Sequence, residues 1–261
     1  MRFAAPTSCW RDMRILPART APPDEPITRR HGPSAGPYRS YRACLRWEFG
    51  FSCAFCLLHE ADLSLHGVEG SALTGIEHRI PRSSAPTLTD QYVNCYYACR
   101  YCNTARAAAP IIDRRRRKLL DPCATPWAAH FVLEENRLRP LTNDDDAAYT
   151  AEVYDFDDLR KIEMRAGRAT AIEDCLRVFR GVPELADRLL RTAEKIRTAE
   201  RRPLLDAAEE LHRIILAAVK RLERFRVIPV DANVDCRCQD GATRVLPSFL
   251  EKQTQEVAAP S

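Results

Sequence analysis

The part of the sequence that decides the fold contains two short cysteine motifs, Cys53-Ala54-Phe55-Cys56 and Cys99-Arg100-Tyr101-Cys102. Two motifs of this kind supply four thiolates, which is the donor set of a closed tetrahedral zinc site. A structural zinc ion can stabilise a segment that is too short to have a large hydrophobic core. The motifs therefore predict a compact module built around structural Zn²⁺, with four ligands: Cys53, Cys56, Cys99 and Cys102.

The composition is typical of a globular chain. It has 261 residues, of which 45% are hydrophobic and 29% are charged, and this length suffices for one or two globular units. No stretch approaches the roughly 20 uninterrupted apolar residues that a membrane-spanning helix needs. The sequence therefore predicts no association with a membrane.

The chain contains 11 cysteines, but it is too long and too rich in charged helical segments for a small secreted disulfide scaffold. Because four cysteines already have metal-binding spacing, we expect a reducing compartment, the cytoplasm. Five others are expected to be ordinary thiols: Cys9, Cys44, Cys95, Cys123 and Cys175. Cys236 and Cys238 form a C-x-C pair with no second pair close by, so a second metal site there is the less favoured interpretation.

Composition divides the chain into five parts. Residues 1–40 are rich in proline and arginine and poor in aliphatic side chains, so we expect them to be disordered. Residues 41–118 form the zinc module, and residues 119–156 form an irregular connecting segment that packs back and can include a short hairpin. Residues 157–226 have helical periodicity, and residues 227–261 form a tail.

The helical part begins near Asp157 or Asp158, either of which can cap a helix. Gly181 and Pro183 are expected to interrupt the apolar stripe that follows. Two further amphipathic segments come after them, and Pro203 favours the start of the second. We expect these two segments to form a helical hairpin that serves in packing, in a homodimer or in binding a protein partner.

Charge is unevenly distributed, although the net charge is only +4. Five consecutive cations, Arg114–Lys118, follow the second cysteine motif. A basic block beside a metal module suits a polyanion such as nucleic acid, whose phosphates dominate binding. A solvated helix start or linker is the alternative explanation.

Residues near the second motif have the chemistry of phosphodiester hydrolysis, which needs a group that activates water and a cation that stabilises developing charge. His78 titrates near neutrality and is the candidate base. Glu77 and Asn103 offer the hard oxygen ligands that Mg²⁺ or Mn²⁺ prefers. Because neighbours on a strand point to opposite faces, a bend or bulge is needed to bring Glu77 and His78 to one phosphate.

The order of these residues resembles that of the HNH endonucleases in their tetracysteine zinc subtype. The matching segments are Cys53–Cys56, Glu77–Pro81 and Asn94–Asn103, and the resemblance covers residues 45–110. It implies an α+β fold in which a small zinc-stabilised, treble-clef-like ββα-metal module is followed by a helical C-terminal region. In such a module a β-hairpin and a helix surround a catalytic metal that is separate from the zinc.

The resemblance also implies a role for each site residue. His78 would be the general base, Asn94 would hold the hairpin loop, and Glu77 and Asn103 would bind the catalytic Mg²⁺ or Mn²⁺. The implied substrate is DNA, cleaved by a His-activated water with one divalent metal at the leaving group. The chain departs from the family at Glu77, where Asp or His is common, and at Asn103, where His is frequent.

Four arginines are candidates for nucleic-acid binding because a guanidinium can form bidentate pairs with phosphate oxygens. They are Arg79, Arg82, Arg100 and Arg106. The favoured pair is Arg100 and Arg106, which flank the proposed ligand helix. His59 and His66 are expected to lie on surface loops.

Two other functions are compatible with the sequence. A zinc-stabilised nucleic-acid-binding module with a degenerate catalytic centre would bind DNA with a steep salt dependence and never cleave it. An adaptor that binds a protein partner through its helices would show neither behaviour. Cleavage that requires His78 distinguishes the nuclease from both.

Overall fold

The computed structural model describes residues 21–64, 70–197 and 199–226, together with residues 228, 236, 238, 247 and 248. These residues combine helices with two small antiparallel sheets, so the expected α+β class is confirmed. Among the helices in this part of the chain, none has both the length and the apolar character required to cross a membrane.

Short 3₁₀ turns and loops connect the regular elements. The helices are α1 (Arg42–Glu48), α2 (Glu60–Leu63), α3 (Arg100–Arg106), α4 (Asp145–Val153), α5 (Leu159–Lys195) and α6 (Arg201–Glu223). The strands are β1 (Thr74–His78), β2 (Cys95–Cys99), β3 (Phe131–Glu134) and β4 (Arg137–Pro140).

β1 and β2 form an antiparallel pair, and α3 begins directly after β2. In the register of this pair, Thr74 is opposite Cys99 and His78 is opposite Cys95. The Cys99 sulfur accepts a hydrogen bond from the backbone N–H of Cys102 and so caps α3. The second cysteine motif is therefore both the end of β2 and the first turn of α3.

The first cysteine motif lies in a tight turn beside β2. The backbone N–H of Cys53 donates to the Leu58 carbonyl, and that of Ala54 donates to the Tyr97 carbonyl, each at 2.8 Å. Leu57 adopts a left-handed conformation with φ of 64°, which closes the turn. These bonds hold the first motif against β2, where the second motif begins.

An aromatic core surrounds the two motifs. Phe55 stacks on Tyr154 with 4.0 Å between ring centroids and also lies against Tyr96. Trp127 is buried and donates its indole N–H to the Phe55 carbonyl at 3.0 Å. Large aromatic surfaces contribute strongly to burial, so the segment after the zinc module completes the core of the module.

Residues 119–156 contain more regular structure than the irregular segment that composition predicted. β3 and β4 form the short hairpin, and their two-residue turn, Glu135-Asn136, has positive φ at both positions, as a type I′ turn requires. Asp144 caps α4 by accepting a hydrogen bond from the Ala147 N–H. The sequence pattern allowed for the short hairpin but did not predict α4.

Residues 21–40 form an N-terminal strap that packs on the module, whereas composition predicted disorder. Ile27 is buried, and its N–H donates to the Pro122 carbonyl at 2.8 Å. Arg29 forms an ion pair with Glu48. The hydrogen-bond and ion-pair partners of this segment come from distant parts of the chain, and local composition does not reveal them. Residues 1–20 lie outside the described residues.

α5 continues through Gly181 and Pro183, where a break was expected. Asp158 caps its first turn, as predicted, by accepting a hydrogen bond from the Arg160 N–H. α5 and α6 form a hairpin whose buried core includes Ile172, Phe179, Ile215 and Leu222. Pro183 has no backbone N–H and so removes one hydrogen bond from α5. The helix tolerates this loss because its packing against α6 stabilises it.

Candidate functional site

The four predicted zinc ligands form one buried cluster. The sulfurs of Cys53, Cys56, Cys99 and Cys102 all lie within 4.8 Å of one another. The Cys56 and Cys99 sulfurs are 3.6 Å apart, close to the separation of about 3.7 Å between two thiolates of a tetrahedral zinc site. This cluster can hold a metal ion, and four soft thiolates suit zinc.

α5 provides positive charge beside this cluster, a feature that the sequence analysis missed. Lys161 is fully buried and donates to the backbone carbonyls of Tyr154 and Asp155, each at 2.6 Å. Burial lowers the pKa of Lys161, but the four thiols raise it by more, so the net shift is upward. A zinc ion with four thiolates is negatively charged, and the buried ammonium compensates that charge.

An open pocket of about 420 Å³ lies where β1 ends beside α3. Glu77 and His78 line it from β1, Asn103 lines it from α3, and Arg82 and Tyr38 also contribute to its wall. Glu77 and His78 reach the same pocket although they are adjacent, and His78 is the last residue of β1. The strand end therefore provides the change of direction that the two side chains need.

His78 has the geometry of a neutral base. Its Nε2 lies 3.0 Å from the Thr89 carbonyl oxygen, and because a carbonyl only accepts, Nε2 carries the proton. The Nδ1 atom then keeps its lone pair. Burial lowers the pKa of His78 and the nearby Arg82 lowers it further, which outweighs the opposite effects of the Thr89 carbonyl and Asp90. The imidazole is therefore uncharged at neutral pH, as a general base must be.

Glu77 lies in an environment that disfavours its charged form. Burial raises the pKa of its carboxyl to about 7, although Arg106, the His78 N–H and Arg82 act in the opposite direction. Such a strongly shifted carboxyl in a pocket is typical of a functional site. The oxygens of Glu77 and Asn103 are hard ligands, so the two residues suit a cation such as Mg²⁺ or Mn²⁺.

Asn94 connects the two ends of the loop between β1 and β2. Its Oδ1 accepts from the Ile80 N–H at 2.8 Å, and its Nδ2 donates to the carbonyls of Ile80 at 3.1 Å and Leu88 at 3.2 Å. These contacts are with the backbone, and Asn94 is itself buried. Asn94 therefore positions the loop that follows His78.

Two of the predicted phosphate-binding arginines are accessible. Arg82 lines the pocket, and its guanidinium lies over the ring of Tyr38, 5.6 Å from the centroid. Arg100 is exposed at the start of α3, with its guanidinium 6.0 Å from the Tyr101 ring centroid. Of the two, Arg82 is the one that shares a wall with His78.

The other two arginines are engaged with the protein itself. Arg79 forms an ion pair with Asp121 at 3.3 Å. Arg106 is completely buried, donates to the carbonyls of Arg79 and Ala109, and raises the positive potential at Glu77. Arg106 therefore cannot clamp a phosphate at the surface, which corrects its place in the favoured pair. Arg106 lies on the buried side of α3 together with Cys102, whereas Thr104 and Ala105 are exposed, and linear spacing alone does not show this.

The structure also shows where His59 and the basic block, Arg114–Lys118, lie. His59 is fully buried and caps α2 by accepting from the Ala61 N–H at 3.0 Å, so it is not a surface-loop residue. His66 lies outside the described residues. In the basic block, Arg117 pairs with Asp113 and Glu152, whereas residues 114–116 are exposed.

A second cluster of potential metal ligands was not expected. The ligand atoms of His31, Cys44, Cys236 and Cys238 lie within 4.8 Å of one another. Cys44 was expected to be an ordinary thiol, and the C-x-C pair appeared to lack partners. Those partners lie far away in the sequence, since Cys44 precedes Cys236 by 192 residues. The C-x-C spacing was the one local signal.

Comparisons with protein-family models, curated proteins and solved structures find no match for this chain.

The electrostatic interaction between Lys161 and the tetracysteine cluster predicts that Lys161→Met weakens zinc retention. Loss of a residue that supports metal ligands typically lowers metal affinity by 10- to 100-fold, and we expect a decrease of roughly that size. Competition with a chromogenic chelator measures it, after circular dichroism has shown that the variant is folded. Lys195→Met, an exposed change on the same helix, is the control and should leave zinc retention unchanged.

The Glu77 environment predicts a pH-dependent cost to stability. Because folding raises the pKa of Glu77 from 4.5 to about 7, the folded state favours the protonated carboxyl, and stability falls as pH rises through this interval. Without added divalent cation, Glu77→Gln should raise the free energy of unfolding by on the order of 2–3 kcal/mol at pH 8, with little effect at pH 4.5.

Urea unfolding of the zinc-loaded protein at both pH values provides the measurement. Glu194→Gln, an exposed substitution on α5, is the matched control. A Glu77→Gln variant that is equally or less stable at pH 8 would contradict the proposed electrostatic environment.

Proposed function

We propose that this protein is a metal-dependent nuclease of the HNH type that hydrolyses phosphodiester bonds in DNA. The observation that carries the proposal is that His78, Glu77 and Asn103 line one pocket, with His78 in its neutral form. The order of β1, β2 and α3, with a tetracysteine cluster at the β2–α3 junction, agrees with the ββα-metal module that the sequence resemblance implies.

In this mechanism His78 activates the attacking water. Its Nδ1 accepts the proton from water while Nε2–H donates to the Thr89 carbonyl, so the imidazole keeps its orientation. The Tyr38 ring lies edge-on to His78, with 4.8 Å between ring centroids, and restricts the imidazole from a second side. A positioned base of this kind contributes about 10²- to 10⁴-fold to the rate.

The divalent cation would be held by the carboxylate of Glu77 and the amide oxygen of Asn103. When bound, Mg²⁺ or Mn²⁺ stabilises negative charge on the phosphate and on the leaving oxygen. Glu77 must release its proton to bind the cation, so the chain favours the metal-bound form as pH rises through about 7. Arg82, in the same pocket wall, adds positive charge for a phosphate.

A zinc-stabilised DNA-binding module without cleavage is the second candidate. The observation that favours it is the raised pKa of Glu77, because a carboxyl that is half protonated near neutrality competes poorly for a divalent cation. Asn103, as a neutral ligand, does not compensate for the missing charge. This candidate predicts DNA binding that is independent of Mg²⁺ or Mn²⁺.

The test of the nuclease is incubation of zinc-loaded protein with supercoiled plasmid and Mg²⁺ or Mn²⁺. Wild type should produce nicked or linear DNA, and His78→Ala should lower the rate by about 10²-fold or more while it keeps its fold and zinc. His212→Ala, a histidine substitution on α6, is the matched control and should cleave normally. Full activity in His78→Ala would exclude His78 as the base, and plasmid binding without cleavage by wild type would favour the second candidate.

The position of Arg82 predicts a defined contribution to DNA binding. Arg82→Ala should weaken binding of a DNA duplex at all sequences and reduce the slope of log affinity against log salt by about one, as expected for the loss of one phosphate contact. Fluorescence anisotropy measures this slope. A range of about 50 to 200 mM salt is suitable because the affinity of a phosphate-binding protein for DNA falls strongly over it. Arg180→Ala, which removes an exposed charge from α5, should leave the slope unchanged.

A further inference from the structure

Two cysteines of the C-terminal tail lie beside a histidine of the N-terminal strap and a cysteine of α1. His31 lies on the strap, Cys44 lies in α1, and Cys236 and Cys238 belong to the tail. We propose that these four side chains bind a second structural zinc ion, which fastens the tail to the strap. This site is separate from the tetracysteine cluster.

The distances within the group indicate four donors around one centre. His31 Nδ1 lies 3.0 Å from the Cys236 sulfur and 3.1 Å from the Cys238 sulfur. The Cys44 sulfur lies 3.3 Å from the first and 3.4 Å from the second. A disulfide would instead join two sulfurs at about 2.05 Å and leave the third apart. The Cys236 and Cys238 sulfurs are 3.0 Å apart. A zinc ion would widen the gaps between sulfurs by roughly 0.3–0.7 Å, to about 3.7 Å.

The donor set is suited to zinc. Three thiolates with one imidazole are a common combination in structural zinc sites, and soft sulfur ligands disfavour Mg²⁺ and Ca²⁺. Cys44 is 1% exposed and His31 is 7% exposed, so half of the set is already removed from water. The single nitrogen ligand distinguishes this centre spectroscopically from the tetracysteine cluster.

The strap and α1 hold the first two ligands in place. The backbone N–H groups of Arg30 and His31 donate to one carboxylate oxygen of Glu48, at 2.6 and 2.9 Å. Glu48 lies in α1, the helix that also carries Cys44. His31 and Cys44 are therefore positioned by hydrogen bonds that do not involve the tail, as in a site prepared for an ion.

The tail makes contacts of its own with the strap. Cys238 forms an isolated antiparallel bridge with Pro33, and the hydroxyl of Ser248 donates to Glu25 at 3.2 Å. A metal ion supplies the stronger link that holds Cys236 and Cys238 against the strap.

The proposed zinc site also restrains a wall of the pocket. Tyr38 lies between His31 and Cys44 in the sequence, lines the pocket and packs against His78. Its N–H donates to the Asp90 side chain at 2.8 Å. Zinc that holds both ends of this segment limits the movement of Tyr38. The inference does not depend on whether the pocket cleaves DNA.

The zinc content of the full-length protein tests the proposal. Elemental analysis of protein purified with a non-thiol reductant should find two zinc ions per chain, one for each cluster. The double variant Cys236→Ser/Cys238→Ser should retain one, and His31→Ala should also lose one. His31→Cys, which restores a thiolate at the fourth position, should again bind two.

A control double variant separates this effect from the general loss of thiols. Cys123→Ser/Cys175→Ser removes two cysteines that lie outside both clusters and should bind two zinc ions. Cobalt substitution adds a direct observation of the ligands. The difference between wild type and Cys236→Ser/Cys238→Ser should have the visible spectrum of a tetrahedral centre with three thiolates and one imidazole.

Three results would overturn the proposal. One is a wild-type protein that binds a single zinc ion, and another is a Cys236→Ser/Cys238→Ser variant that still binds two. The third is a thiol count in the denatured, unreduced protein that is lower by two than the 11 cysteines of the sequence, since this would indicate a disulfide.

Hydrogen exchange tests the link to the pocket. Residues 31–41 should exchange faster in Cys236→Ser/Cys238→Ser than in wild type or in the control variant. Unchanged exchange despite the loss of one zinc ion would overturn the restraint on Tyr38.

Discussion

The meeting of four buried cysteine sulfurs is the constraint on which the rest of the structure depends. For the two cysteine motifs to come together, the first must turn beside β2 and α3 must begin immediately after β2. This arrangement places Asn103 in the second turn of a helix next to β1, and it places His78 at the end of β1. The cluster therefore determines the geometry of the pocket without lining it.

Three buried cations have partners that offset their charge. Lys161 is offset by the thiols, Arg46 pairs with Glu60, and Arg168 pairs with Asp62. A buried ion without a partner is strongly destabilising, whereas a paired one is tolerated. Lys161 and Arg168 lie on α5, whereas the Arg46–Glu60 pair lies within the module. The helical region therefore contributes to the electrostatics of the module as well as to its packing.

Burial shifts the pKa values of Glu77 and His78 in opposite directions, and both shifts favour the neutral form of the side chain. It raises the pKa of the carboxyl to about 7 and lowers the pKa of the imidazole, so both side chains favour their neutral forms. A neutral imidazole is suited to accept a proton from water. A carboxyl that ionises near neutrality is suited to exchange its proton for a cation. The pocket that we propose as a nuclease site therefore combines a neutral imidazole with a carboxyl that ionises near neutrality.

The sequence by itself determined the features that depend on short spacing. The C-x-x-C motifs predicted the tetracysteine cluster, and Asp158 predicted a helix start, because both depend on residues within a few positions of one another. The sequence also singled out Glu77, His78 and Asn103 as candidate site residues, and the structure places these three residues in the wall of one pocket.

Only the tertiary structure decided which distant residues meet and which side chains become buried. It buries Arg106, carries α5 through Pro183, orders residues 21–40 and places Lys161 beside the thiols. It also joins Cys44 to a tail that lies 192 residues away. Composition and periodicity report local preferences, and long-range packing can override them, so these outcomes could not be predicted from neighbouring residues.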